Sequence, residues 1–177
     1  MIKVIFKIIF YFLFFIFTIF LFLPKDNLYF LLEKKISKYN VILSNETVDF
    51  RMFNFYIKDA DIYYDGLKFA KMKQLKLGMY LYKNTFQIRD FILYDAFKNL
   101  LPTKIKKLTI NYNLLTYQKA FIKSSGNFGT IDGEIDLKKR SIIMNLKASN
   151  LMKEEYKTIL NYMNFEKGVY KYEYKFK

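Results

Sequence analysis

The chain has 177 residues, 53% hydrophobic and 20% aromatic, with a formal charge of +14, no cysteine, no histidine and no tryptophan. Such apolar content excludes a disordered chain. The absent thiols and imidazoles exclude disulfides, thiolate chemistry, the usual zinc sites and a Ser-His-Asp triad.

The positive charge is nearly all lysine; Arg51, Arg89 and Arg140 are the only arginines. It is spread along the chain among Asp and Glu, and it accompanies heavy use of Ile, Phe, Tyr and Asn. That pattern reads as a compositional bias, and no nucleic-acid partner is expected.

Ile8–Leu23 reads IIFYFLFFIFTIFLFL, uncharged, with Thr18 as its main polar interruption. Val4, Ile5 and Phe6 extend it to about twenty residues, broken by Lys7, which suits a hydrocarbon core of ~30 Å at ~1.5 Å per helical residue. The reading is a transmembrane signal anchor over 1–24, with Ile8, Phe12, Phe15, Phe20 and Leu23 in the span. A cleaved leader would have an apolar core of ~7–15 residues and a small-residue exit; Leu21–Asp26 offers none. Lys3 and Lys7 favour a cytoplasmic N-terminus. Lys25, Lys34, Lys35 and Lys38 oppose it, but a long following domain crosses regardless of charge. The expected location is therefore a single-pass inner-membrane protein with its C-terminal domain in the periplasm.

Pro24 ends or kinks the anchor helix. Asp26 or Asn27 can cap a second helix, Asn27–Tyr39, within a juxtamembrane segment over 25–40. Leu28, Leu31, Leu32 and Ile36 fall on one face. That face either lies on the bilayer, helped by Tyr29 and Phe30, or packs on the domain as a core helix.

From Val41 the apolar period becomes two, the mark of strands. Thr47–Met52 and Asn54–Tyr64 are rich in strand formers. Asp65-Gly66 marks a turn between strands at Ala60–Tyr64 and Leu67–Met72. Leu75, Leu77, Met79 and Leu81 alternate with Lys76, Gly78, Tyr80 and Tyr82. Lys83-Asn84 reads as the next turn and Thr85–Tyr94 as the return strand. Asp95–Leu101 is a short helical turn ended by Pro102. Lys104–Leu114 and Thr116–Lys123 are further strands.

The clearest hairpin follows. Gly129, Ile131, Gly133, Ile135 and Leu137 alternate with Thr130, Asp132, Glu134 and Asp136. Lys138-Lys139-Arg140 turns the chain, and Ile142, Met144, Leu146 and Ala148 return. Asn150 is the expected cap of a helix whose stripe is Met152, Tyr156, Ile159, Leu160 and Met163. Gly168 follows it, and Val169–Lys177 closes the chain with Tyr170, Tyr172, Tyr174 and Phe176 on one face. The fold class is mainly β (α+β): after the anchor, a curved antiparallel sheet over 41–177 with one or two packed helices.

Candidate chemistry is sparse. Asp59, Asp61 and Asp65-Gly66 depart from a calcium loop, because Tyr63 and Tyr64 stand where ligands belong. Asp132, Glu134 and Asp136 share a strand face, but Lys138, Lys139 and Lys147 lie near enough to neutralise them. Ser124-Ser125-Gly126 has no histidine partner and reads as a loop. Gly126, Gly129 and Gly133 form no nucleotide fingerprint, since strand alternation runs through them. No catalytic, cofactor or metal site is expected, and the chain reads as a non-enzyme. The apolar face bearing Ile131, Ile135, Met144, Tyr170, Tyr172 and Tyr174 is the candidate groove or partner-strand surface. It would hold a lipid acyl chain, or serve as core beneath the Met152–Met163 helix. Gly129 and Gly133 leave space there for a ligand or for a neighbouring element. The terminal strand is also placed to add a partner strand at its edge.

Leu23-Pro24, the hairpin Gly126–Ala148 with its Gly-x-Ile-x-Gly-x-Ile-x-Leu strand, and the closing helix and strand Leu151–Phe176 together resemble the type II secretion system N protein family. The AsmA-like family is a more distant likeness. A lipopolysaccharide-export C protein also has one anchor and a β-rich periplasmic domain. The resemblance implies a bitopic inner-membrane protein whose periplasmic sheet winds into a groove. Its role would be a non-enzymatic accessory or assembly component of a secretion or DNA-uptake machine, with lipid handling as the alternative. The implied partners are membrane lipids and other inner-membrane envelope proteins.

Overall fold

The computed structural model describes residues 2–22, 25–80, 82–97, 101–116 and 118–176, with side chains except at 2, 20–22, 25, 26 and 95. Two helices, α1 (Ile2–Phe22) and α2 (Lys25–Ser37), precede the strands. The strands are β1 (Val41–Ser44), β2 (Thr47–Phe50), β3 (Asn54–Tyr64), β4 (Leu67–Met79), β5 (Lys83–Leu93), β6 (Lys104–Asn113), β7 (Lys119–Gly126), β8 (Gly129–Asp136) and β9 (Ser141–Ala148). Then come helices α3 (Asn150–Glu155) and α4 (Lys157–Leu160), and strands β10 (Asn164–Glu166) and β11 (Val169–Lys175).

All eleven strands form one antiparallel sheet, in the order β1-β3-β4-β5-β6-β7-β8-β9-β11-β10, with β2 also on β3. From β3 to β9 each strand pairs with the next in sequence, through connections that range from the two-residue Asp65-Gly66 turn to the longer link between β5 and β6, which carries a 3-10 turn at Asp95–Phe97. At Asp65-Gly66 and Lys167-Gly168 both central residues have positive φ. That backbone matches the twist of the flanking strands.

The strands align their side chains in rows. Directly opposed residues share a face, so Phe55, Leu77, Phe86, Ile110, Ile122, Gly133, Met144 and Tyr172 form one apolar row from β3 to β11. The adjacent row on the other face is Tyr56, Lys76, Gln87, Thr109, Lys123, Asp132, Asn145 and Lys171. The sheet therefore has one oily and one charged side.

Strict alternation cannot place residues three apart on one face. Yet Ile57 and Ala60, Met72 and Leu75, and Ile88 and Phe91 all belong to one apolar cluster. Each strand slips phase by one residue at the same level. Asp59 and Asp90 take positive φ, at 55° and 47°, a region that Asp tolerates better than most side chains. The ladder skips Asp59, Lys73 and Asp90 and resumes in unchanged register on either side. The slip ends where the register shifts between β6 and β7. Leu67–Met79 is thus one continuous strand; the change of alternation at Lys73-Gln74 marks the skipped pair inside it.

Two cores form on the apolar face. The first gathers Phe55, Ile57, Ala60, Met72 and Leu75 beneath α2. Tyr29 is buried there, with Leu32 and Ile36 packed beside it. Of the two placements open for this helix, packing on the body is the one adopted. Its inward face is Tyr29, Leu32 and Ile36, while Leu31 and Phe30 are exposed. The Tyr29 hydroxyl donates to the Glu46 carboxylate. Burial first, and then that carboxylate, push the phenol above its ordinary range. The second core joins Phe128, Leu146, Met152, Tyr156 and Leu160.

Several local expectations are corrected. Lys83 and Asn84 begin β5, and the turn lies before them, with the Tyr80 N–H donating to the Lys83 carbonyl at 3.1 Å. Leu81 lies outside the described residues. Ser124-Ser125-Gly126 is strand, paired with Leu108, Lys107 and Ile105. The α3 cap is Ser149, not Asn150: its hydroxyl accepts the Met152 N–H at 3.1 Å and donates to the Asn127 carbonyl at 2.6 Å. The terminal strand is covered on its outer side by β10 over Val169–Lys171 only, so among the described residues Tyr172–Lys175 keeps an open edge.

Among the described residues no helix is long and apolar enough to cross a membrane. The described side chains of α1 run from Lys3 to Ile19; all are exposed save half-buried Ile16 and Thr18. Ile8, Phe12 and Phe15 are exposed on it. The Phe20 side chain, Leu23 and Pro24 lie outside the described residues.

Candidate functional site

Between the two cores the apolar face is open. The cleft there has a volume of about 600 Å³. Its floor is made by Phe69 of β4, Phe91 and Leu93 of β5, Ile105 of β6, Ile131 of β8, Met144 and Leu146 of β9, and Tyr172 of β11. Phe128, Leu101 and Pro102 form one side, and Met152, Ile159, Tyr162 and Met163 of the helical segment form the other.

The helical segment explains why space remains. Ser149 starts α3 directly after β9, and the helix breaks at Tyr156, whose φ and ψ are −120° and 34°. A six-residue and a four-residue helix cover only one end of the sheet. α2 covers the other end. Tyr162 hangs over the gap with 79% of its surface exposed.

The side chains of the lining include no acid, amine or amide; their only polar atoms are the Tyr162 and Tyr172 hydroxyls and the weakly accepting sulfurs of Met144, Met152 and Met163. Such a surface can exclude water and hold an apolar ligand. The volume is roughly four times the ~150 Å³ cavity that accommodates a benzene ring, which is room for one extended hydrocarbon chain.

Of the residues singled out from sequence, Ile131, Met144 and Tyr172 line this cleft. Tyr170 packs in the second core. Ile135 and Tyr174 lie further along in the Ile135–Ile142–Tyr174 row, where Tyr174 is exposed. The glycines do not open the cleft. A Cβ on Gly133 would meet the Ile143 carbonyl at 2.9 Å and Met144 Cγ at 3.2 Å, so neighbouring strands fill that space. Gly129 has a φ of 112°, and a Cβ there would sit 2.1 Å from the Lys147 carbonyl. Phe91, Leu93 and Ile105 were not legible as site residues, because the phase slip hides which face they occupy; Phe69 was not, because it sits at the bulge in the β3–β4 pairing.

The carboxylates are structural. Glu134 pairs with Lys119 at 2.7 Å and Asp132 with Lys123 at 4.0 Å, so the cross-strand lysines of β7 serve where Lys138, Lys139 and Lys147 were expected. Asp136 is buried at the turn and accepts the Lys139 N–H at 2.8 Å. That backbone donor lowers its pKa. Asp61 is buried too; it accepts from Asn45 Nδ2 at 3.0 Å and pairs with Lys68 at 3.2 Å. The Asn45 hydrogen bond, then Lys68, lower its pKa against the opposing effect of burial. Among the described residues no three acidic side chains gather in a metal-binding cluster.

No protein-family model, curated protein or solved structure matches the chain.

Proposed function

We propose that the chain is a membrane-anchored, non-enzymatic β-groove protein that holds the acyl chain of a lipid in the cleft between its two cores. The open apolar cleft carries this reading: about 600 Å³, lined on all sides by apolar and aromatic residues and free of ionisable acids and amines. The α1 helix supports the anchor. Although no described helix is long and apolar enough by itself to cross a membrane, exposed apolar side chains on α1 such as Ile8, Phe12 and Phe15 favour lipid around them. The proposed placement is the inner membrane, N-terminus cytoplasmic and sheet periplasmic. Liquid chromatography and mass spectrometry of lipids extracted from the purified full-length chain test the reading. A stoichiometric lipid, lost in Met144→Trp, is expected; a preparation that carries lipid equally well in that variant overturns it.

The second reading is an accessory component of a type II secretion-like or DNA-uptake machine. One edge favours it: β10 pairs only with Val169–Lys171, leaving the outer side of Tyr172–Lys175 without a strand among the described residues. Such an edge can accept a partner strand. Cross-linking from Tyr174 in intact cells, followed by identification of the adduct, is the measurement, and absence of any envelope-protein adduct counts against it.

A further inference from the structure

The charged side of the sheet holds a second hollow, of about 340 Å³, on the opposite face from the cleft. Arg51, Lys58, Lys76 and Arg89 converge on it around Tyr56, and the amides of Gln74 and Gln87 complete the rim. Register brings them together. Tyr56 opposes Lys76, which opposes Gln87; Lys58 opposes Gln74, which opposes Arg89. Lys58, Lys76 and Arg89 are therefore successive diagonal neighbours, a spacing that long side chains bridge. Tyr56 lies between two cations, Arg51 at 5.0 Å and Lys76 at 5.7 Å from the ring centroid.

The local charge is not balanced. Asp49 pairs with Arg51 at 3.3 Å and Lys58 at 3.2 Å. Both cations lower its pKa, the Lys58 hydrogen bond most. Lys76 and Arg89 have no ion-pair partner among the described residues. Asp59 and Asp90 line the adjoining hollow with Lys73, and Lys58, Gln74 and Arg89 are shared between the two, so the surplus positive charge lies on the Arg51, Tyr56 and Lys76 side. Gathering like charges in one concavity raises its potential and attracts a counter-charge. Two arginine forks, two ammonium groups and two amide donors are the groups that recognise phosphate oxygens.

We propose that this hollow is a phosphate-binding site, taking the phosphate of a lipid headgroup or of a small soluble phosphate. The proposal does not depend on the cleft, since the two sites lie on opposite faces. Calorimetric titration of the full-length chain in a neutral detergent tests it, using inorganic phosphate, water-soluble short-chain phosphatidic acid, and short-chain phosphatidylcholine. Saturable binding of the first two, weaker for the zwitterion, is expected. Tighter binding of phosphatidic acid than of phosphate identifies a headgroup as the source; equal binding identifies a soluble phosphate. Arg89→Gln and Lys76→Gln should each weaken binding about tenfold, the scale of one lost charge-assisted contact. Arg89→Lys, which keeps the charge and loses the fork, should fall between, and the remote turn variant Lys138→Gln/Lys139→Gln should bind normally. Met144→Trp should leave phosphate binding unchanged, which separates this site from the cleft. Equal binding by Arg89→Gln and the native chain, equal loss in the Lys138/Lys139 variant, or a duplex oligonucleotide that outcompetes both phosphates, would overturn it.

Discussion

The two ends of the apolar face have the same chemistry and different fates. Under α2, Phe55 and Ile57 are sealed to 1% and 0% exposure, and Tyr29, Leu32 and Ile36 fill the remaining volume. Toward β9 and β11, two short helices cap one corner, and Ile131, Met144 and Tyr172 are left half-buried around the cleft. A row of apolar residues on a sheet is neither core nor groove by itself. The length of the helix laid across it decides.

Breaking the sealed end should be the most damaging change. Phe55→Ala removes a fully buried ring and should cost about 3–5 kcal/mol, read by denaturant unfolding of the full-length chain in mild detergent. Near the open end, Ser149→Ala removes the α3 cap and a second hydrogen bond, and should cost about 1–2 kcal/mol. Tyr29→Phe keeps the ring and loses the hydrogen bond to Glu46, and should cost about 1 kcal/mol. Met144→Trp fills open space; a stability change under about 1.5 kcal/mol is expected, with loss of bound lipid. A loss as large as that of Phe55→Ala would show that the open end is packed core after all.

Acid sharpens the same contrast. Asp61 and Asp136 have depressed pKa values in the fold. The stability they contribute is present above the unfolded carboxylate value of ~3.9 and is lost as pH falls through their lower folded values. Thermal unfolding against pH should therefore show a decline on the acid side, smaller in Asn45→Ala because Asp61 loses its main hydrogen-bond donor. The cleft carries no carboxylate, so Met144→Trp should leave the shape of that decline unaltered.

Much of the scaffold was legible in the residues themselves. The hairpin Gly129–Ala148, the Asp65-Gly66 turn and the Met152–Met163 stripe all follow from period and turn chemistry, which act over a few neighbouring residues. β10 was not legible, since three exposed residues carry no periodic signal. The α2 face was misread by one position, because Tyr29 is drawn inward by a hydroxyl partner, Glu46, that lies two elements away.

The order of apolar and polar residues by itself determined that this chain would build antiparallel hairpins with one oily side, and that histidine and cysteine chemistry was closed to it. Only the tertiary structure decided that Asp59 and Asp90 take positive φ without shifting register, that α2 seals one core, and that a cleft stays open between the two. The physical reason is range. Alternation and turns are set by adjacent residues, whereas burial is set by whichever distant element arrives to cover a surface, and by how far it reaches.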